Sequence, residues 1–305
     1  MKKVSVIGSM NYDTTIQVAK FPLPGETISS SGYSVSVGGK GANQAAALAK
    51  AGVAVSMFGA VGKDFAGDEI IKMLTKYGVA VNNVLRLDQV QTGQAFITVE
   101  DSGNNHIVIV PGANEHCTLN YAIDHKEELC DAEAILAQLE IPTATVYGLF
   151  EIAKKLGVTT VLNPAPAQNF EPSLLSYVDI IIPNESEIET IYGKKIKTDS
   201  ELEAACRWLE EAGVSIIIVT LGERGCYLYY EGTGTFFAPF KVKAVDTTAA
   251  GDSFIGSFLS SYLDGNSMAT AINYAQKVAA ITVTRKGAIQ SIPTKEEEKS
   301  ISLEK

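Results

Sequence analysis

Three small residues in a row, Ala249, Ala250 and Gly251, lead into Asp252 at the start of a helix-patterned stretch over 250–263. Side chains this small allow a tight turn whose bare N–H groups can approach a phosphate, and the positive end of the following helix points at the same place. The segment therefore reads as an anion hole. Asp252 would lie among those donors, where a carboxylate can accept the proton of a substrate hydroxyl as a general base. A lone Asp before a helix is more often an N-cap, but the Ala-Ala-Gly run favours the chemical role.

A second cluster, residues 38–43, carries three glycines with Lys40, Ala42 and Asn43 just before an Ala-rich helical stretch. Here Gly39 and Gly41 are expected to let the backbone pass close to a ligand, and Asn43 offers both a donor and an acceptor. Lys40 reads equally well as a solvated charge. Single polar residues follow apolar runs elsewhere: Asn11 and Asp13 after 4–7, Glu140 after 135–139, Asn163 after 161–162. Taken separately each suits a cap or a turn, but together they suit the paired hydrogen bonds that vicinal sugar hydroxyls require. Asn184 and Glu187 have the spacing of a capping box, with a metal or phosphate role also open. Thr220, Leu221, Gly222, Glu223 and Gly225 form a Gly-containing link between two strands. Other chemistries drop out. The first strand is not followed by G-x-G-x-x-G, neither a P-loop nor a G-x-S-x-G elbow occurs, and His106, His116 and His125 lack metal spacing.

These residues need a frame. Buried-strand runs at 4–7, 53–60, 134–139, 159–162, 179–182 and 215–220 alternate with helical periodicity at 42–51, 67–77, 143–156, 185–192, 200–212, 250–263 and 268–283. Such alternation predicts a mostly parallel sheet covered by helices on both faces, with the site at the carboxyl ends of the strands. Stretches 14–37 and 94–110 break the rhythm with turn signals and β-branched residues, and predict two inserted hairpins. They could form a lid, a dimer surface or both; the plain alternative is an edge extension of the main sheet. One domain over 1–305 is expected, with a frayed charged helix at 295–305.

At 46% hydrophobic and 20% charged the chain has the composition of a globular enzyme, not of a disordered one. A formal net charge of -10 makes nucleic acid and membrane poor partners, so a bound nucleotide must be neutralised locally by N–H groups, helix termini and a divalent metal. Cys117, Cys130, Cys206 and Cys226 show no C-x-x-C spacing, the apolar run of the first strand stops at Gly8, and no stretch approaches the length needed to cross a bilayer. A cytoplasmic protein is expected.

Along nearly its whole length, from residues 8–13 to 284–288, the chain resembles the ribokinase and phosphofructokinase-B family of sugar kinases. Residues 38–43 and 246–252 carry the paired signatures in the right order, and 39–44, 92–95, 111–114, 139–140 and 162–166 point to its ribokinase branch. The resemblance implies an α/β fold, a three-layer αβα sandwich with a mostly parallel central sheet and a small β-sheet lid that often pairs with a second subunit. It implies ATP-dependent phosphorylation of the 5-hydroxyl of D-ribose, with Mg²⁺ accompanying ATP. Asn11, Asp13, Gly39, Lys40, Gly41, Asn43, Glu140 and Asp252 would surround the sugar. Asn184, Glu187, Thr220, Leu221, Gly222, Glu223, Gly225, Gly251 and Gln276 would serve the nucleotide. Lys63 and Gln276 depart from the expected family residues. The alternatives are a kinase of another small sugar or nucleoside, such as 2-deoxyribose or fructose, and a non-catalytic sugar- or nucleotide-binding protein.

Asp246 lies six residues before Asp252 without an obvious basic partner. With the Thr248 carbonyl, the carbonyls of Thr282, Arg285 and Gly287, and Ser291, it would suit K⁺ or another monovalent activator, as the resemblance also implies. The alternative is an Asp246 that caps its own turn.

Overall fold

The computed structural model describes residues 2–167 and 170–303. In chain order the strands are β1 (Lys3–Ile7), β2 (Asn11–Val18), β3 (Gly32–Gly38), β4 (Ala54–Gly62), β5 (Val84–Leu87), β6 (Gly93–Glu100), β7 (Asn105–Val110), β8 (Ala134–Ala137), β9 (Thr159–Leu162), β10 (Ile180–Ile181), β11 (Ile216–Thr220), β12 (Cys226–Tyr230) and β13 (Thr233–Phe237). The α-helices are α1 (Lys40–Lys50), α2 (Phe65–Lys76), α3 (Leu119–Asp124), α4 (Lys126–Cys130), α5 (Thr143–Leu156), α6 (Glu185–Tyr192), α7 (Asp199–Glu211), α8 (Ala250–Leu263), α9 (Met268–Val283) and α10 (Lys295–Ser300).

Among the described residues nine strands make the main sheet, in the order β13-β12-β11-β10-β9-β8-β1-β4-β5. From β11 to β5 every pairing is parallel, and β12 and β13 add an antiparallel edge. Continuous apolar strands are expected where both faces are covered. Successive residues indeed enter opposite layers: Ala134 and Leu136, Ile216 and Ile218 pack in one, Ile135 and Ala137, Ile217 and Val219 in the other. The first layer takes apolar residues of α1, α2, α8 and α9, and the second those of α3, α5, α6 and α7.

The two inserted stretches form a separate four-stranded sheet, β3-β2-β6-β7. Each is an antiparallel hairpin, and the seam between them, β2 with β6, is parallel. Asn11 and Asp13, expected in the loop after the first strand, instead open β2. There Asn11 pairs with Gly38 on one side and Gly93 on the other. The root of the small sheet thus begins within four residues of the end of β1.

At the carboxyl end, α10 is shorter than the expected 295–305 helix and is held by a complete Thr294–Glu297 capping box; the last two residues of that stretch lie outside the described ones. β5, α3 and α4 were not legible in the sequence, being too short to show a period.

Candidate active site

The chain leaves β1 for β4 on one side of the main sheet and its neighbour on the other side is β8, so the order of connections reverses between β1 and β8. Ligand crevices of open α/β sheets lie at the carboxyl ends of strands at such a reversal. Ser9, just past β1, donates to Glu140, just past β8, at 2.5 Å, and the Lys40 N–H donates to the same carboxylate oxygen at 3.4 Å. The start of α1 is pressed onto this point. A Cβ on Gly41 would come within 2.7 Å of the Gly8 and Ser9 backbones, and one on Gly39, at φ 86°, within 2.7 Å of the Asn11 nitrogen. These glycines therefore let one stretch of chain approach another here. Their side-chain-free packing lets the Ala42 N–H reach the Ser9 carbonyl at 3.0 Å.

Asp252 sits in the first turn of α8 and does not cap it. The N-cap is Ala249, a non-glycine residue at φ 60°, and it makes no side-chain cap bond. Left-handed backbone at such a residue costs on the order of 1–3 kcal/mol and persists only where the surroundings enforce it. Instead of capping, the Asp252 carboxylate accepts from the Asn43 and Gln44 amides, each at 2.9 Å. The two helices can come this close because a Cβ on Gly256 would lie only 2.6 Å from that of Ala47. Gln44 is itself fixed. Its amide nitrogen also donates to Asn163 at 3.1 Å, and its oxygen accepts from Gln138 at 2.7 Å.

Of the small residues before Asp252, Ala250 already donates its N–H to the Thr247 carbonyl at 3.2 Å. The Gly251 and Asp252 N–H groups lie in the first turn, where a helix offers them no acceptor of its own. A Cβ on Gly251 would meet nothing within 4 Å, so this turn faces open space.

Asp13 stands beside the same space. Burial, then the negative charges of Glu140 and Asp252, push its carboxyl up to about 7 against the pull of Lys40. The absence of a side chain at Gly38 makes room for this carboxylate, whose nearer oxygen lies 2.0 Å from where a Cβ would stand. Burial works to lower the Lys40 pKa, but Asp252, Glu140, Glu187 and Asp13 outweigh it and raise it. Asp13 Oδ1 and Asn43 Oδ1 are buried and accept from no donor among the described residues. Two such acceptors beside a lysine suit a ligand that brings several hydroxyl donors. Asn11 is buried, and its oxygen accepts from Asn114 at 2.8 Å; Asn114 in turn accepts from the Met10 N–H at 2.9 Å.

Asn184 and Glu187 form the full capping box of α6. Burial raises the Glu187 carboxyl despite its bond to the Asn184 N–H. Thr220 pairs with Asn184 across the neighbouring strand ends. The side chain of Leu221 is buried in the core, so that position can offer a ligand only its backbone. Gly222 is left-handed, at φ 56°, with open space beside it, and Glu223 is exposed. Gly225, at φ 87°, admits the Phe237 carbonyl. That carbonyl also accepts from Gln276 at 3.0 Å, and the buried Gln276 oxygen has no donor among the described residues.

Asp246 joins two loops directly. It accepts from the Thr248 N–H and from the Gly287 N–H, both at 2.9 Å. Burial works against its ionisation, but these bonds and the nearby Lys286 hold its carboxyl below the usual range. Lys286 is the basic neighbour that the sequence did not reveal. The Thr282 carbonyl accepts once, from the Arg285 N–H, and the Ser291 hydroxyl donates to Ala288 at 2.7 Å. Carbonyl and hydroxyl oxygens keep a lone pair after one bond, so this set retains the capacity to ligate a large cation. Among the described residues there is no group of three or more His, Cys, Asp or Glu side chains able to hold a metal.

A family model described as pfkB family carbohydrate kinase matches residues 1–295. The chain belongs to that family. The ribokinase of Haemophilus influenzae is 39% identical, over 97% of this chain and 97% of its own. The deoxyribokinase of Salmonella typhi is 36% identical, over 96% of each chain. A structure of Arabidopsis thaliana ribokinase complexed with ribose and ATP matches with a TM-score of 0.92 at 31% identity, covering 98% of both chains. Family and three-layer fold are thus those the motifs implied.

The structure brings Asn11, Asp13, Lys40, Asn43, Glu140, Asn163 and Asp252 to one crevice. Asp246 ties the turn before α8 to Gly287, Asn184 and Thr220 pair past β10 and at the end of β11, and Gln276 reaches the Phe237 carbonyl from α9. Sequence reasoning missed the roles of Ser9, Gln44, Asn114 and Gln138. Gln138 carried a signal, a polar residue at the end of the buried run of β8, and Gln44 sits directly beside the chosen Asn43.

Proposed function

We propose that this carbohydrate kinase transfers the γ-phosphoryl group of ATP to the 5-hydroxyl of D-ribose, giving D-ribose 5-phosphate and ADP. The observation that carries the reading is Asp252, presented at the start of α8 by Asn43 and Gln44, with the buried oxygens of Asp13 and Asn43 left without a donor among the described residues. The hydroxyl oxygen forms the new bond to the γ-phosphorus, the bond to the bridging oxygen of ADP breaks, and the hydroxyl proton passes to Asp252. Asn11, Asp13, Lys40, Asn43 and Glu140 hold the sugar, with Gly39 and Gly41 shaping its floor. Phosphoryl transfer depends mainly on positioning and on charge stabilisation. The turn Ala249–Gly251 serves that purpose mainly through the free N–H of Gly251, next to that of Asp252, since the Ala250 N–H already donates to Thr247. Asn184, Glu187, Thr220, Gly222, Gly225 and Gln276 hold the nucleotide, with Leu221 and Glu223 contributing backbone. Mg²⁺ arriving with ATP supplies further neutralisation of phosphate charge. The full-length relation to ribokinases supports this reading over a purely binding protein.

The small sheet acts as a lid and as a homodimer surface. Support comes from its exposed apolar residues, with Tyr33 70%, Ile107 53% and Val108 63% accessible; large apolar patches of this kind mark interaction surfaces. A cytoplasmic location fits four cysteines that form no disulfide, and no helix among the described residues is long and apolar enough to cross a membrane.

The deoxyribokinase relative makes 2-deoxyribose the main rival. With Asn11 and Asp13 paired to ring hydroxyls, ribose is expected to be the better substrate by about 1–3 kcal/mol in kcat/KM, because the missing hydroxyl leaves buried groups unpaired. An ADP-release assay over pentoses, hexoses and nucleosides, with mass spectrometry of the products, decides it. Equal kcat/KM for the two sugars would hand the reading to a deoxyribokinase or a broader enzyme.

K⁺ is expected to raise kcat by holding the Asp246 and 282–291 loops together behind the phosphate-binding turn. Enzyme freed of alkali ions, assayed in an organic-cation buffer at constant ionic strength, should respond to KCl. A flat titration, or activation that persists in Asp246→Ala, would remove this part of the proposal.

A further inference from the structure

Lys50, the last residue of α1, is buried at the end of the helix remote from the sugar crevice. Its ammonium donates to the carbonyls of Ile289, at 2.6 Å, and Ile292, at 2.7 Å, and lies 4.2 Å from the centre of the Tyr77 ring. Both isoleucines are themselves buried, so without the lysine their carbonyls would face the interior with no water to replace it. The loop it grips has a second attachment, the Gly287 N–H donated to Asp246. Between the two attachments, Ala288 and Ile292 pack in a small buried cluster with Ala47, Val278 and Ala249. Ala47 is one turn before Lys50 on α1, and Ala249 is the left-handed N-cap of α8.

We infer that Lys50 is a positioning residue for phosphoryl transfer: it clamps the 285–292 loop against α1, so that the loop backs Ala249 and Asp246 keeps its hold on the turn before Asp252. The inference rests on reading Ala249–Gly251 as the phosphate-binding turn. A non-glycine residue at φ 60° needs surroundings that enforce it, and the clamped loop is that support. The charge itself is costly to bury. Burial presses the Lys50 pKa down to about 8; Glu297 pulls it up, while Arg285 and Lys76 add to the depression. An apolar side chain would make an easier core residue at this place, but it could not grip two carbonyls.

The test uses the full chain with Lys50→Met, which keeps the stem and removes the donors, and Lys50→Arg, which keeps donors. For Lys50→Met, kcat should fall roughly 10- to 100-fold, the loss associated with displacement of a catalytic group by about 1 Å, while KM for ribose stays near wild type. Lys50→Arg should recover most of the rate. Hydrogen exchange on the ligand-free protein should speed up at amides 246–252 and 285–292 in Lys50→Met and not in Lys50→Arg. If Lys50→Met does not fold, Lys50→Gln takes its place in both measurements. A variant that melts earlier yet keeps wild-type kcat and wild-type exchange at 246–252 would reduce Lys50 to a brace for the fold and overturn the inference. Failure of the wild-type enzyme to phosphorylate any sugar would remove the reading of the site instead. The exchange comparison, which needs no turnover, would still decide whether Lys50 holds the turn.

Discussion

Asp252→Asn should lose turnover by roughly 10² to 10⁴, the usual contribution of a general base, while binding sugar and ATP almost as the wild type does. The expectation comes from the surroundings of the carboxylate. Each of its oxygens accepts one amide, from Asn43 and from Gln44. The introduced amide keeps one acceptor and turns a donor toward its other neighbour. Asn43 can answer by rotating, because its own oxygen is buried and has no donor, and its nitrogen then faces the sugar, whose hydroxyls accept as well as donate. The pocket should therefore keep its shape, and the fold should lose no more than about 1 kcal/mol, the net value of one ordinary hydrogen bond. The lost property is the ability to take up the hydroxyl proton. Calorimetric binding of ribose and a steady-state assay separate the two effects. A variant that kept more than about a third of wild-type kcat would lie far outside the span of a general base and would end this assignment.

Ribose affinity should fall as pH drops below about 7 and should level off above it, with a limiting slope of about tenfold per pH unit. Asp13 is the group responsible. Its raised pKa means that the ligand-free site holds a protonated acid on the acidic side of neutrality, and a carboxylate is the better acceptor for sugar hydroxyls. Binding of hydroxyl donors favours the charged form, so raising the pH must strengthen binding. Stability of the free enzyme runs the other way. A carboxyl whose folded pKa lies above its unfolded value contributes stability that is complete below the unfolded value and is lost as pH rises through the folded one. For Asp13 that window extends from the ordinary carboxylate range to about 7, and ribose should restore the loss by engaging the ionised group. Calorimetric titration without nucleotide from about pH 5.5 to about pH 8.5 covers the relevant range. Asp13→Asn serves as the control, since Glu140, Asp252 and Lys40 share the pocket. A flat profile in the wild type, or an unchanged slope in Asp13→Asn, would show that another group governs sugar binding.

The parallel sheet, its covering helices and the inserted hairpins could be read from residue order, because each leaves a local mark. Buried strands such as β8, and β11 up to Val219, are unbroken apolar runs, and α5, α6, α8 and α9 begin and end where the helical period did. The Ala-Ala-Gly run before Asp252 was legible for the same reason, since a turn and a helix start are set by neighbours within about four residues. The partners of Asp252 were not. Gln44 is 208 residues away and Glu140 reaches Ser9 across 131, distances over which no local pattern records a contact. Sequence alone also left open what each glycine was for, because a missing Cβ looks the same whether the space beside it holds a ligand, as the open side of Gly251 can, or another backbone, as at Gly39 and Gly41. Asn11 became a strand residue through pairing with Gly38 and Gly93, and Asp13 through pairing with Ser36 and Ala95, while Leu221 turned its side chain into the core. Lys50 carried no sign of its task, as a lysine ending a helix is ordinarily a solvated charge at the negative end of the dipole. Only the close approach of α1, the 285–292 loop and Tyr77 in the folded chain buries that charge, and burial is what turns an ordinary surface lysine into a clamp behind the site.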